Sequence, residues 1–341
     1  MKPTVHDIAS RAGVSLATVD RVLNRRPGVS ARTRQKVDQA VSELGFVRDV
    51  AAANLAKGRV YPLTFIIPSN DNSFMRGLRL ALEEASARAG VERIAIRLVD
   101  VPAFDAAALA AALKDAATEE PAGIAFVAVD APDVTEVAAE ISRSGIPLVT
   151  LVSDLPGAAR DHYAGIDNAA AGRTAASLLG RFAGGRAGKV AVLAGSMLVR
   201  DHRERCDAFT AVMAADFPSL GLLPVLEGRD DPDVVERLVA DLFASRNDIV
   251  ALYSLGAGNR GLVKALQRLA PADRPVVVAH ELTETTRGAL QAGLIDAVLN
   301  QDAGHEVRSA IRVLKAKADG LPVVAAQERI RIDIFLKDNL P

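Results

Sequence analysis

The sequence holds one cysteine, Cys206, in 341 residues. That excludes a disulfide framework and suits a reducing compartment. Five histidines and no paired-cysteine motif make a poor ligand set for a structural zinc site. No uninterrupted apolar run approaches the roughly 18–20 residues that span a bilayer, and the first residues show no apolar secretory segment. Together these absences point to a cytoplasmic protein. What remains is globular in character, 50% hydrophobic and 24% charged, which excludes a mainly disordered chain. The length allows two or three domains, each with a core of its own.

Net charge is also nearly absent, at −1, but that average conceals two parts. Residues 1–60 carry eleven Lys/Arg against five Asp/Glu, a net of +6, and the remainder is −7. A short basic head on a long acidic body is the electrostatic footprint of a nucleic-acid-binding module joined to a separate domain.

Residues 4–45 read as three short helices. Thr4 and Asp7 have capping-box spacing, Ser15 and Ser30 stand where N-caps belong, and Ile8, Val19, Val22, Val37 and Val41 share inward faces. Helix, tight turn and helix on a third supporting helix is a minimal way to present one helix to a DNA groove. From residue 63 the regime changes. Near-continuous apolar strands, such as 63–67, 123–129, 189–194, 222–227, 248–255, 275–280 and 296–300, alternate with amphipathic helices. This is the pattern of an α/β fold with parallel sheet covered on both faces. About ten strands suit two doubly wound subdomains, although an eight-unit barrel fits the count as well.

The segment TVHDIASRAGVSLATVDRVLNRRPGVSARTRQKVDQAVSELGF (4–46) strongly resembles the headpiece of lactose-repressor-type (LacI/GalR) transcription regulators. YAGIDNAAAGRTAA (163–176) looks like the opening of that family's second core subdomain, and ERCDAF (204–209) is similar to its Arg-x-x-Gly-aromatic motif, with Ala208 for the usual Gly. The resemblance implies an all-α helix-turn-helix head (1–48), a hinge helix and linker (49–61), and a core of periplasmic-binding-protein type (62–341). Within the core, 62–160 plus 296–320 and 161–295 plus 321–341 are expected as the two subdomains. It further implies a homodimer on pseudo-palindromic operator DNA, no enzymatic activity, and a sugar or polyol effector that controls operator affinity.

Carried over by position, the resemblance makes Leu16 and Ala17 the specificity residues of the recognition helix. Both are apolar and suit a thymine methyl rather than a bidentate hydrogen bond. Arg21 matches the base-reading arginine, and Ser15, Thr18 and Asn24 match phosphate-positioning residues. Asp20 departs from the usual Ser; its carboxylate repels phosphate, accepts from cytosine N4 or orients Arg21. Leu55 matches the wedge that enters the minor groove. Arg48-Asp49 stand where the family has Pro-Asn.

In open α/β sheets, ligands bind beyond the carboxyl ends of the strands. The residues there are Asn70, Asp71, Asn72, Phe74, Asp130, Ser153, Asp154, Asn259, His280, Glu281 and Gln301, joined by Arg205 from the family motif. Such donors and acceptors with an aromatic ring suit a neutral polyhydroxylated ligand. For Asp and Asn the alternative is helix capping. His6, His202 and His305 read as surface residues, Cys206 as a buried small side chain. No nucleophile–base set and no cofactor is expected. The competing signal is Gly256-Ala-Gly258-Asn-Arg-Gly261, a GxGxxG after a strand with Glu281 about 20 residues on, as an NAD(H)-sensing repressor would need. The C-terminal IFLKDNLP shows no leucine heptad, so no tetramerising coiled coil is expected.

Overall fold

The computed structural model describes residues 3–24, 26–46, 54, 58–69, 72–157 and 160–341. Two compact units divide the chain after Arg59. The expected hinge helix with Leu55, the Arg48-Asp49 pair, Asn70 and Asp71 lie outside the described residues.

The first unit is built from α1 (Val5–Ala12), α2 (Leu16–Leu23) and α3 (Ala31–Leu44). Each begins on a hydroxyl cap. Thr4 and Asp7 form a reciprocal capping box, while Ser15 and Ser30 accept from Thr18 N and Thr33 N, each at 3.2 Å. These caps satisfy amides that the helices themselves leave free. Ile8, Val19, Val22 and Val37 meet in a small core. Arg11 Nε donates to Glu43 at 2.8 Å, joining α1 to α3; both side chains are exposed, so the pair fixes geometry more than it stabilises.

The second unit contains two sheets. The first holds β1 (Tyr61–Pro68), β2 (Ile94–Val101), β3 (Gly123–Val127), β4 (Leu148–Leu151) and β5 (His162–Ala164) in the order β2-β1-β3-β4-β5, all parallel. The second holds β6 (Gly188–Ala194), β7 (Leu220–Leu222), β8 (Leu226–Glu227), β9 (Ile249–Ser254), β10 (Val276–His280), β11 (Ala297–Asn300) and β12 (Asp333–Phe335). Its order is β12-β11-β10-β9-β6-β7, with β8 also on β6 and β12 alone antiparallel. The first sheet therefore runs 2-1-3-4-5, and the second repeats that order when β7 and β8 are taken as one broken strand beside β6, with the antiparallel β12 added at the far edge. The order reverses beside β1 and beside β6, the switch points where such sheets open a crevice. Two open sheets exclude the barrel.

Helices α4 (Ser73–Ala87), α5 (Ala89–Glu92), α6 (Ala106–Thr118) and α7 (Pro132–Arg143) follow the strands of the first sheet. Helices α8 (Asn168–Phe182), α9 (Arg200–Asp216), α10 (Pro232–Ser245), α11 (Asn259–Gln267) and α12 (Glu284–Gln291) belong with the second; α13 (Ala303–Ala318) follows β11. Side chains alternate across β1. Phe65 and Ile67 pack against Leu78 of α4 and Ile311 of α13, whereas Ile66 packs against Leu113 of α6 and Val134 of α7. The second sheet does the same, with Val192 toward Leu179 and Phe209 and Leu193 toward Val235 and Leu262.

Two expected subdomain boundaries move. His162–Ala164 extends the first sheet by pairing with β4, so the chain crosses after Ala164 and not at 160. Ala297–Asn300 pairs with β10, which puts 296–300 in the second lobe; α13 beyond it packs on the first, as does Val323. A short apolar strand carries no signal for which sheet will accept its hydrogen bonds. The run 222–227, expected as one strand, is two short strands, β7 and β8. No helix among the described residues is long and apolar enough to cross a membrane.

Candidate functional site

On α2, Val19 and Val22 face inward, and Leu16, Ala17, Asp20 and Arg21 are exposed. Leu16, 42% exposed, is an apolar contact left outside the core. Ser15 and Thr18 are engaged with each other, their hydroxyls 2.9 Å apart, as parts of the helix cap. The Asp20 carboxylate accepts from Asn24 Nδ2 at 2.6 Å and Arg26 Nη1 at 3.3 Å. Asp20 thus organises the end of α2 and the start of the following loop.

An open cleft of about 740 Å³, mouth included, lies where loops after the strands of both sheets meet. Of the expected ligand residues, Asn72, Phe74, Arg205, His280, Glu281 and Gln301 line it, as does Ser153. Phe104, Val152, Asp230 and Glu281 on its walls hold φ angles of 62°, 62°, 57° and 68°. Non-glycine residues seldom occupy this left-handed region, and such strain concentrates where side chains must be aimed.

Arg205, on α9 and 3% exposed, is the cation at the centre of the cleft. Its Nε donates to Asn168 Oδ1 at 2.8 Å and its Nη1 to the Leu255 carbonyl at 2.9 Å. Asn168 donates in turn to the Tyr163 hydroxyl at 3.0 Å, and that hydroxyl donates to the Val152 carbonyl at 2.7 Å. Gly172 lets α8 approach α9, because a Cβ there would fall 2.2 Å from the Arg205 carbonyl oxygen. The 163–176 motif therefore has a physical role: it clamps the arginine. The remaining nitrogen, Nη2, is buried with no hydrogen-bond partner and lies 4.0 Å from Asp201 Oδ2.

Other buried polar atoms of the cleft are also unpartnered among the described residues: Ser153 Oγ, His280 Nδ1 and Gln301 Oε1. His280 Nε2 is 2.8 Å from the Tyr253 hydroxyl, and burial, with Arg205 nearby, holds the ring well below its usual pKa and neutral. Glu281 accepts from Gln301 Nε2 at 2.9 Å and from Gln301 N at 3.3 Å. Burial pushes its pKa up to about 7, against the pull of Arg205. Glu306, buried on α13 with both oxygens unpartnered, is pushed well above the usual range by burial and then by Glu281. A buried donor or acceptor without a partner costs about 1–3 kcal/mol, so such a cluster is primed for a hydroxyl-bearing ligand.

Three expected residues are not part of the cleft lining. Asp130 pairs with Arg203 and stands 3.9 Å from Arg200, joining the end of the first sheet to α9. Asp154 accepts from Thr150 and Leu155 N, each at 2.8 Å, and from Arg160 Nη2 at 2.5 Å, and these bonds hold its pKa down against burial. Asn259 accepts from Ser254 at 2.8 Å and donates to the His280 carbonyl at 3.0 Å. All three are spent on internal bonds.

His202, expected at the surface, is 5% exposed and lines the cleft, as do Asp201, Asp230 and Phe104. Asp201 and His202 lie four and three residues before Arg205, so helical spacing from the motif arginine could have found them. The GxGxxG glycines serve packing instead. A Cβ on Gly261 would fall 1.8 Å from the Pro232 carbonyl oxygen, so this glycine sets the close approach of α11 to α10. Glu281 is held by Gln301 rather than free for a ribose.

Residues 63–322 match the model of the periplasmic binding protein domain, and residues 4–49 that of bacterial regulatory proteins of the lacI family. The HTH-type transcriptional regulator DegA of Bacillus subtilis is 30% identical over 46% of this chain and 45% of its own length. The HTH-type transcriptional regulator MalR of Streptomyces coelicolor is 41% identical over 26% of this chain and 25% of its own. The chain thus spans less than half the length of these curated relatives. Among solved structures, the glucose-galactose binding protein GanP of Geobacillus stearothermophilus covers 83% of this chain and 99% of its own, with a TM-score of 0.73 at 20% identity. An ABC transporter solute-binding protein from Burkholderia graminis, in complex with D-arabinose, covers 83% and 97% with a TM-score of 0.74 at 21% identity. Those two share the fold. Over residues 63–322 the chain belongs to the periplasmic binding protein domain family, and its residues 4–49 carry the helix-turn-helix domain of bacterial regulatory proteins of the lacI family.

Proposed function

We propose that the protein is a sequence-specific transcription regulator, a repressor, that binds a pseudo-palindromic operator as a homodimer. A sugar or polyol in the cleft sets its operator affinity. The observation that carries the reading is Arg205: a buried, clamped guanidinium with one free nitrogen, among other unpartnered polar atoms, in the core of a chain with a lacI-type head. Neutral hydroxyls both donate and accept, so one polyol can satisfy Arg205 Nη2, His280 Nδ1 and Gln301 Oε1 together. The printed names of DegA and MalR, both transcriptional regulators, and of the glucose-galactose binding protein and the D-arabinose-bound solute-binding protein support the same reading.

In this proposal residues 1–48 are the DNA-binding head, 49–61 the linker and 62–341 the effector core. Leu16 and Ala17 meet base edges through apolar contact, Arg21 reads a guanine, and Leu55 is the minor-groove wedge. Effector binding re-angles the two lobes and changes the geometry offered to DNA. Selection of binding sites from random duplex DNA, followed by anisotropy titrations against a sugar panel, tests this. A two-fold symmetric motif whose affinity shifts with one sugar supports it. Selection of no motif, or a motif whose affinity no sugar alters, rejects it.

A further inference from the structure

Tyr253 on β9 pairs in register with Val278 of β10, so His280, two residues further on, lies on the same face of the sheet. Both side chains are fully buried, and the Tyr253 hydroxyl sits 2.8 Å from His280 Nε2. Phe209 of α9 stacks on the Tyr253 ring with centroids 4.6 Å apart, which holds the phenol in place. Among the described residues the hydroxyl has no other hydrogen-bond partner. The second ring nitrogen, His280 Nδ1, has none at all, on a ring that borders the cleft.

Burial, and then Arg205, hold the His280 pKa well below its usual value, so the ring is neutral. It carries one proton, on one of its two nitrogens. With the proton on Nε2, that nitrogen donates to Tyr253. The phenol proton is then stranded in the apolar cluster that Tyr253 shares with Val192, Phe209 and Val278. With the proton on Nδ1, Tyr253 donates to Nε2 and no donor in the core is stranded. The donor left over is Nδ1–H, beside the cleft, where an effector oxygen can take it. A stranded buried donor costs about 1–3 kcal/mol, which favours the second arrangement.

We infer that Tyr253 fixes the His280 proton on Nδ1 and so makes His280 a hydrogen-bond donor, which selects an effector with an acceptor oxygen at that point. Tyr253 does not line the cleft; it is a positioning residue that acts through His280. The inference rests on the sugar-effector reading for its ligand but not for its tautomer. His280 Nδ1 and Arg205 Nη2 then both donate, and Gln301 Oε1 accepts. The effector must offer lone pairs to the first two and a proton to the third, so an ammonium or a bare methylene facing His280 is refused.

Nitrogen-15 NMR of the full-length protein, labelled at histidine, reads the tautomer with no ligand present, and the resonances lost in His280→Asn identify the ring. The expected result is a protonated Nδ1 and a bare Nε2. Tyr253→Phe keeps the stacked ring, so the variant should fold, and it should release the proton to populate Nε2–H. A proton on Nε2 in the wild type, or a tautomer unchanged in Tyr253→Phe, would overturn the inference and leave the sugar-effector reading standing. Calorimetry with glucose, galactose, arabinose and myo-inositol adds the binding arm. Tyr253→Phe should weaken the ligand that binds roughly threefold to tenfold. It should have no effect in the His280→Asn background, where the amide supplies a donor that Tyr253 does not set. An equal loss in both backgrounds would make Tyr253 a packing residue and overturn its positioning role. Binding of none of the four would count against the effector reading, while the NMR result still decides the tautomer.

Discussion

Asn72 Nδ2 donates to Asp230 Oδ2 at 3.2 Å, tying the start of α4 in the first lobe to the loop after β8 in the second. The same Asn72 caps α4 through its oxygen, which accepts from Met75 N at 2.8 Å, and Asp230 accepts from Ala257 N at 2.9 Å. One amide thus starts a helix and latches the lobes across the cleft. Asn72→Asp keeps the capping oxygen but sets a second carboxylate against Asp230. We expect effector affinity to fall roughly tenfold, from about 1–2 kcal/mol of like-charge repulsion in a part-buried site. Asn72→Ala should cost about 1 kcal/mol of stability through the lost cap. Calorimetry and denaturant unfolding separate the two effects.

Arg205→Met leaves Asn168 Oδ1, the Leu255 carbonyl and Asp201 without their cation. Removing one member of such a buried polar cluster should destabilise the core by about 3 kcal/mol and abolish effector binding. Arg205→Lys keeps the charge but not the fork, and should recover stability better than affinity. Urea unfolding and titration calorimetry read both. Effector affinity retained in Arg205→Met would remove the arginine from the site.

Glu281 carries a pH dependence of defined sign. Its pKa rises from the ordinary 4.5 to about 7 in the folded chain, chiefly through burial. The folded state therefore keeps a proton that the unfolded chain releases within that window, so the stability this group contributes is complete below 4.5, is lost as pH rises to about 7 and changes little beyond. Glu281→Gln removes the slope. The variant should match the wild type near the acid end and exceed it by up to about 3 kcal/mol at the alkaline end. Urea unfolding across the window checks it, and a difference independent of pH would contradict it.

On the DNA side, Arg21→Ala should cost about 1–3 kcal/mol on the selected operator and less on random duplex. Asp20→Ser removes a carboxylate from the exposed face of α2 and releases Asn24 and Arg26 from it. Operator binding should tighten, with a salt slope steeper by about one. Anisotropy titrations over a range of salt measure both. Equal losses on operator and random DNA for Arg21→Ala would end its base-reading role.

Much of the fold was legible because long periodic segments carry it. The caps of α1, α2 and α3 and the strands of both central sheets follow from local spacing. The edge strands did not: His162–Ala164 and Asp333–Phe335 are three residues each and lack a continuous apolar run. The site was legible where a motif pointed to it, at Arg205. Motif position did not separate Asp154, held by Arg160, from a ligand residue, and strand-end position did not separate Asn259, held by Ser254. Both outcomes put an Asp or Asn at the same junction. Phe104 gave no local signal, because a left-handed backbone angle at a bulky residue is not written in local spacing.

The central claim is that cleft and operator share one free energy. Titrating effector into the protein alone, and into the protein saturated with selected operator, measures that coupling directly. By linkage, the operator must change effector affinity by the factor through which the effector changes operator affinity, expected between about 5-fold and 150-fold. Matching factors within that range are the predicted result. The same effector affinity with and without operator would contradict the account.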